Sequence, residues 1–291
     1  MADRNMQPRW WGLLLWTLVF ASLVSSAGSR GAEHEARAPS EAEAHVLPLS
    51  HDYRVVEFRR YTIKPGQRDN FALYFDTLFP EAFQQLGALA IGQFLERDHS
   101  NGFTWLRGFK TIEDRAIINS AFYYGPVWKE HKATLNGILD DSDDVLLLRP
   151  LDDAGIAVLP AVDAVSERSS ADRGRVIAQI FRVTQGRVAE LANRAARAFA
   201  GYRALGVSEA CVLVTLDVPN NFPALPIRTD GPYLVWIGLI PNDVTLESRV
   251  EASMGRAGRE LMNTGLLNGT PETVVMSPTQ RSRLRWRPVG G

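Results

Sequence analysis

A carboxylate, a guanidinium and a phenol alternate along one short segment of the chain. Glu57, Arg59 and Tyr61 belong to the strand-like run Val55–Ile63, and every second side chain of a strand points to the same side. Such a trio can bind a polar ligand, and it can transfer protons if a second acid–base group lies within hydrogen-bond reach. The same residues can instead pair with charges on neighbouring strands and only exclude water, and the pattern leaves both interpretations open.

His131 is the histidine that the pattern places on an apolar helical face, between Trp128 and Leu135. An imidazole there can carry protons or act as an axial haem ligand, or it can be a core histidine bonded to a backbone carbonyl. Trp105 lies in another strand-like run, Phe103–Phe109. Together these considerations select six candidate ligand-binding residues: Glu57, Arg59, Tyr61, Trp105, Trp128 and His131.

The signatures of several large enzyme classes are absent from the sequence. It contains no HExxH, CxxC or GxSxG motif, no phosphate-binding loop and no dinucleotide glycine fingerprint. The acidic run Asp140–Asp144 lacks the ligand spacing of a calcium loop and favours a solvated turn. Cys211 is the single cysteine, which excludes an internal disulfide and a multi-cysteine metal site and favours an inert buried thiol. We therefore predict no metal and no cofactor, with haem at His131 as the alternative.

The first residues have the pattern of a secretory signal. Arg4 and Arg9 precede the uncharged run Trp10–Val24, and small residues follow it up to a cleavage site after Ala27. The run is shorter than the roughly 20 residues that cross a bilayer as a helix. We expect a secreted or periplasmic protein without an integral membrane span after cleavage, and a retained anchor is the alternative.

The rest of the chain reads as one unit used twice. Strand-like and helix-like segments follow in the order β-α-β-β-α-β, and then the order repeats. Gly66 and Gly186 close the first strands 120 residues apart, and Gly87 and Gly206 close the first helices 119 residues apart. The predicted organisation is a signal peptide, a flexible linker, a first repeat, a second linker and a second repeat, at residues 1–27, 28–52, 53–150, 151–174 and 175–289.

A single β-α-β-β-α-β unit covers one face of its sheet with two helices and leaves the other face bare. Two such sheets packed against each other bury both bare faces and close toward a barrel with the helices outside. The space between the sheets is then where we expect a ligand, because it is enclosed and lined by alternate residues of several strands. The formal net charge of −1 provides no field for nucleic acid, so the expected partner is a small molecule.

Several segments resemble the NIPSNAP family: VVEFRRYTIKPGQRDNF, LGALAIGQFLE, FTWLRGFKTIEDR, the helix containing VWKEH, and the terminal VVMSPTQRSRL. The resemblance covers most of the first repeat and, more loosely, the second. It implies an α+β protein made of two ferredoxin-like repeats packed sheet to sheet as an α/β-barrel. It also implies a homo-oligomer as an alternative, because proteins of this fold are often dimers. The fold is shared with cofactor-free monooxygenases, muconolactone isomerases and haem-containing relatives, and the family transfers no catalytic residue to this chain.

Three functions remain open from the sequence. The first is an exported protein that binds a small, partly apolar ligand between its two sheets. The second is a cofactor-independent monooxygenase, isomerase or lyase that uses Glu57, Arg59, Tyr61 or His131 for proton transfer. The third is a haem-binding protein with His131 as the axial ligand.

Overall fold

The computed structural model describes residues 48–152, 154–159 and 173–287, within which two halves of the chain build the same order of strands and differ in one helical segment, which is two helices in the first half and one in the second. The first half consists of β2 (Val55–Ile63), α1 (Arg68–Leu86), β3 (Leu89–Glu96), β4 (Gly102–Phe109), α2 (Ile112–Tyr123), α3 (Pro126–Ile138) and β5 (Leu139–Pro150). The second half consists of β7 (Arg175–Arg182), α4 (Val188–Ala204), β8 (Ser208–Thr215), β9 (Tyr233–Ile240), α5 (Val244–Met262) and β10 (Glu272–Pro278). A separate short pair is formed by β1 (Leu49–Ser50) and β6 (Ile156–Ala157).

The eight long strands form one closed barrel in the order β10-β3-β4-β2-β5-β8-β9-β7. Each half contributes four adjacent strands, and all pairings between neighbours are antiparallel. Where the halves meet, β5 pairs with β8 and β10 pairs with β3, so neither four-stranded sheet keeps an open edge. This confirms the predicted α+β fold of two ferredoxin-like halves packed as an α/β-barrel.

The space between the two sheets is filled by side chains. On β2, Val56 and Phe58 point into the barrel and belong to a large buried apolar cluster that draws residues from all eight strands. Glu57, Arg59 and Tyr61 point the other way, toward the helices of the first half, because side chains alternate along the strand. The expectation of a ligand between the sheets is therefore corrected, since apolar packing occupies that space and the polar face of β2 lies outside the barrel.

Parts of both predicted linkers pack onto the barrel. Leu49–Ser50 pairs with Ile156–Ala157, and residues 156–159 are all buried in the barrel core. The apolar sequence of this short segment explains why it packs there although the surrounding linker is polar. The predicted signal peptide and the linker up to residue 47 lie outside the described residues. No helix within the described part of the chain is long and apolar enough to cross a membrane.

The second helical segment of the first half is broken between α2 and α3. Thr111 caps α2 by accepting a hydrogen bond from the Asp114 backbone N–H at 3.1 Å, and α3 begins with Pro126. A Cβ on Gly125 would lie 2.2 Å from the Ala121 carbonyl oxygen, so a larger residue does not fit at the break. The corresponding α5 of the second half is one continuous helix of 19 residues. Two shorter helices thus cover the first sheet where one covers the second.

The strand β5 begins earlier than the sequence suggests. Its register with β2 shifts twice near Thr62, and the strand includes the whole acidic run Asp140–Asp144. The predicted solvated turn is therefore an irregular, largely exposed part of a strand. Asp144 accepts a hydrogen bond from Arg228 at 3.1 Å, which explains how a carboxylate-rich segment is held in the sheet.

Candidate functional site

A cavity of about 370 Å³ lies between the outer face of the first sheet and helices α1, α2 and α3. We call it the outer cavity. Residues 222–226, from the long loop between β8 and β9, complete its wall, so both halves of the chain contribute to it. Its aromatic lining consists of Phe71, Phe75, Phe79, Phe83, Trp105, Phe122, Tyr123, Tyr124, Trp128 and Phe222. Its polar lining consists of Arg59, Tyr61, Asn136, Ser142 and Asp143.

The aromatic wall follows from the helical repeat of α1. Phe71, Phe75, Phe79 and Phe83 recur every four residues, so they share the face that packs on the sheet. Phe83 stacks on Trp105 of β4 with ring centroids 5.6 Å apart. Rings locked by such contacts lose little further freedom when a ligand enters, which favours binding of an apolar group.

Beneath this cavity one carboxylate is surrounded by three guanidinium groups. Glu57 Oε2 accepts hydrogen bonds from Arg107 Nη2 at 2.5 Å and from Arg59 Nη1 at 3.1 Å. Glu57 Oε1 accepts one from Arg115 Nε at 2.7 Å. Arg107 lies directly opposite Glu57 on β4, whereas Arg115 reaches in from α2. We call these four residues the arginine cluster, and each of them is at most 1% exposed.

The arginine cluster shifts the titration of its own members. Burial would raise the pKa of Glu57, but Arg107, Arg59 and Arg115 together hold it well below the ordinary range. Burial would likewise lower the pKa of Arg59, but Tyr61 and Glu57 outweigh burial and raise it. Glu57 is therefore an anion and Arg59 a cation at neutral pH.

Hydrogen-bond donors in and beside the cluster exceed the acceptors that reach them. Arg107 Nη1, Arg115 Nη2, Trp105 Nε1 and Gln93 Nε2 are buried donors without a partner among the described residues, whereas Asn119 Oδ1 and Gln93 Oε1 are the buried acceptors of this layer without one. Arg59 donates from Nε to the Tyr61 hydroxyl at 2.9 Å and from Nη1 to Glu57, and no hydrogen bond from its Nη2 to the described residues is formed. Buried polar groups are normally paired, so this surplus of donors needs an explanation.

The loop between β8 and β9 is tied to the arginine cluster. Arg115 Nη1 donates to the side-chain oxygens of Asn220 at 3.1 Å and Asn221 at 2.7 Å. The Asn221 side chain in turn donates to the Ile112 carbonyl oxygen at 2.5 Å. Phe222 then stacks on Tyr123 with ring centroids 6.0 Å apart. Hydrogen bonds from the buried Arg115 thus hold the loop in the position in which Phe222 closes the outer cavity.

Five of the six candidate residues come together here. Arg59, Tyr61, Trp105 and Trp128 line the outer cavity, and Glu57 lies beneath it as the acceptor of Arg59. His131 lies elsewhere. Its Nδ1 is 2.6 Å from the Tyr74 hydroxyl and its Nε2 is 4.0 Å from the Glu130 carboxylate, on the outer surface of α1 and α3. Proton transfer by His131 therefore does not apply to this site, because His131 does not line it.

Sequence reasoning missed Arg107, Arg115 and Phe222. Arg107 had a detectable signal, since it follows Trp105 by two residues and so shares its side of the strand. Arg115 and Phe222 had none, because they come from a helix and from a loop of the other half. Only the closed fold brings them to Glu57 and to the cavity.

The second half has no equivalent charged site among its described residues. At the 120-residue offset, Ile177 and Gln179 occupy the positions of Glu57 and Arg59, and Gln179 pairs with Trp236 as Arg59 pairs with Trp105. Gln179 accepts from the Tyr202 hydroxyl at 2.8 Å and donates to the Met254 carbonyl at 3.1 Å. Its amide is thus satisfied at both ends, and the corresponding layer is an ordinary apolar core.

Haem does not fit this site through His131. That histidine does not line the outer cavity, so it cannot contact a haem bound there. In the part of the chain that the structure describes, no group of three or more His, Cys, Asp and Glu side chains could hold a metal ion. An axial role of His131 would therefore require a haem site other than the outer cavity.

Comparisons with known proteins agree on the fold. No family model and no curated protein matches the chain. An anthrone oxidase-like protein superposes with a TM-score of 0.50 at 11% identity, over 80% of this chain and 94% of its own. A NIPSNAP domain protein from Burkholderia xenovorans is 19% identical over 34% of this chain and 95% of its own, with a TM-score of 0.30. A haem-binding protein from Thermus thermophilus is 10% identical over 84% of this chain and 98% of its own, with a TM-score of 0.40. At 11% identity the likeness to the anthrone oxidase-like protein shows the fold alone.

Proposed function

We propose that the protein binds a small, partly apolar molecule in the outer cavity. The observation that carries this proposal is an aromatic cavity of about 370 Å³ above the polar groups of Arg59 and Tyr61. Its size lies within the range of small-molecule sites, and such sites combine apolar walls with a few oriented polar groups. The charged groups of the site come from the first half of the chain, whereas the counterpart layer of the other half contains a satisfied amide.

Binding is better supported than proton-transfer catalysis. A general acid or base needs a pKa near the working pH. The three arginines hold the pKa of Glu57 far below neutral pH, so its carboxylate stays ionised. Burial raises the pKa of Tyr61, so its phenol stays protonated and acts as a hydrogen-bond donor or acceptor. The polar groups of the cavity are therefore suited to orienting a bound ligand rather than to transferring protons to it.

The proposal includes export and a NIPSNAP-like origin of the first half. Export is supported by the uncharged run Trp10–Val24 and the small residues after it. The NIPSNAP-like origin is supported by the strand and helix segments quoted above. The barrel closes within one chain, so a second copy is not needed to cover a bare sheet face. We therefore propose a chain that binds its ligand as a single copy.

Titration calorimetry with 2-naphthoate and its neutral isostere 2-naphthamide tests the proposal. We expect at least one of them to bind with one molecule per chain. Ala224→Trp adds a large ring at the exposed loop side of the cavity and should abolish that binding. Ala252→Trp, on the exposed side of α5, is the matched control and should bind normally. Binding that survives Ala224→Trp, or no binding of either compound, would contradict the outer cavity as the ligand site.

A further inference from the structure

We infer that the ligand of the outer cavity is an organic carboxylate on an apolar body, and that Arg59 binds the carboxylate. This inference rests on the proposed function and adds the charge and the contact residue. The shape of the cavity alone does not select a carboxylate, because a neutral aromatic molecule of the same size would make the same apolar contacts. Three features of the site support a carboxylate: the charge balance of the arginine cluster, its unpaired hydrogen-bond donors, and the position of Arg59.

The charge balance comes first. Glu57 is the only carboxylate that hydrogen-bonds within the arginine cluster, whereas three guanidinium groups donate to it. Buried charges without an opposite charge are costly, and they are normally paired. Part of the excess is offset by neutral groups, since Arg107 lies 4.8 Å from the Phe83 ring centroid and Arg115 reaches two asparagine oxygens. A second anion would balance the cluster more completely than these contacts do.

The free donors come second. Arg59 keeps Nη2 without a hydrogen bond to the described residues, and Trp105 Nε1 is buried without a partner among them. The Tyr61 oxygen accepts from Arg59, which leaves the hydroxyl proton available. All three residues line the outer cavity, but the Trp105 Nε1 atom is buried and does not face it, so Arg59 and Tyr61 supply the groups that a ligand contacts. A carboxylate offers several acceptor lone pairs and no donor, so it matches these groups, while the NH₂ group of an amide would meet other donors.

The position of Arg59 comes third. Arg107 and Arg115 do not line the outer cavity, and both are directed at Glu57. Arg59 is the one cationic side chain in the described lining of the cavity. Asp143 is the one carboxylate in that described lining, and it is exposed at the strand β5 side. The cluster therefore holds a guanidinium firmly in place at the inner end of an aromatic cavity, which is a suitable arrangement for a carboxylate on an apolar body.

The test compares the two naphthalene compounds on wild type and on charge variants. We expect 2-naphthoate to bind wild type at least tenfold more tightly than 2-naphthamide at pH 7, since hydrogen bonds between ions are stronger than neutral ones. Arg59→Met should remove this preference and leave the amide affinity within about threefold, because the apolar walls remain. Arg256→Met, at an exposed position on α5, makes the same change of charge away from the cavity and should leave both affinities unchanged.

A second variant covers the case in which Arg59→Met does not fold. Tyr61→Phe removes the hydroxyl that accepts from Arg59 Nε and whose proton is available to the ligand, without changing charge. It should weaken 2-naphthoate several-fold more than 2-naphthamide. Equal affinities of wild type for the two compounds would overturn the carboxylate inference and leave the proposed binding function intact. Binding of neither compound would instead count against the proposed function itself. A preference for the carboxylate that persists in Arg59→Met would show that another group binds it, and would also overturn the inference.

Discussion

Replacement of Glu57 by glutamine tests the arginine cluster most directly. The substitution keeps the shape of the side chain but removes the only carboxylate that neutralises Arg59, Arg107 and Arg115 within the cluster. All four side chains are at most 1% exposed, so water cannot replace the lost charge. Removing one partner of a buried ion pair costs about 3–5 kcal/mol, and here three cations lose their partner at once.

The expected loss is therefore about 4 kcal/mol or more in the free energy of unfolding. For a domain of this size, 1 kcal/mol corresponds to roughly 2–4 °C, so Glu57→Gln should lower the midpoint of thermal unfolding by about 10 °C. Differential scanning calorimetry at pH 7 measures it. Glu260→Gln, at an exposed position on α5, is the matched control and should shift the midpoint by at most about 2 °C.

The pH dependence of this difference provides a second readout. The pKa of Glu57 is lowered in the folded state, so its stabilising contribution is present above the unfolded pKa of about 4.3 and is lost as pH falls below it. The gap between wild type and Glu57→Gln should therefore be full at pH 7 and should narrow as pH falls below about 4. Adding Arg115→Met to Glu57→Gln removes one unpaired cation and should recover part of the loss.

The reasoning is refuted if Glu57→Gln lowers the unfolding midpoint by no more than the Glu260→Gln control does. Such a result would mean that solvent reaches the cluster and screens it. A gap that stays constant between pH 7 and pH 3 would be equally damaging, because it would separate the loss of stability from the charge of Glu57.

Three further predictions concern groups outside the arginine cluster. Burial raises the pKa of Asp76 to about 6, so folding favours its protonated form. The contribution of Asp76 to the free energy of unfolding should therefore fall by roughly 3 kcal/mol as pH rises from about 4 to 7. Thermal melts over this pH range should show that fall in wild type and not in Asp76→Asn. Phe83→Ala should cost about 3–5 kcal/mol in urea unfolding, because the ring is 1% exposed and stacks on Trp105, and an equal midpoint in both proteins would contradict that packing. Burial raises the pKa of the Cys211 thiol, so Ellman's reagent at pH 8 should label it only after unfolding in guanidinium chloride, and rapid labelling of the native protein would show that the thiol is accessible.

Much of the fold could be predicted from the sequence, because local residue patterns indicate local secondary structure. Gly87 predicted the end of the first helix, and α1 ends at Leu86 with Gly87 as its left-handed C-cap. The repeated order of elements predicted two half-covered sheets, and the apolar demand of their bare faces predicted a barrel. The exceptions were segments such as Ile156–Ala157, whose burial depends on a distant partner.

The candidate site could be predicted from the sequence only in part. Alternation along β2 correctly grouped Glu57, Arg59 and Tyr61 on one face, but alternation is symmetric and does not say which face the helices cover. Both faces of this strand are almost fully buried, so exposure could not decide between them either. The site was therefore expected between the sheets, whereas it lies between one sheet and its helices.

The sequence by itself determined the order of the strands and the residues that share the polar face of β2. Only the tertiary structure decided that this face lies under the helices, that Arg107 and Arg115 neutralise Glu57, and that Phe222 closes the cavity from the other half. The physical reason is distance along the chain. Backbone periodicity acts over a few residues, whereas the charge balance of a buried carboxylate is set by groups 50 and 58 residues away that meet it only after the sheet and its helices have packed.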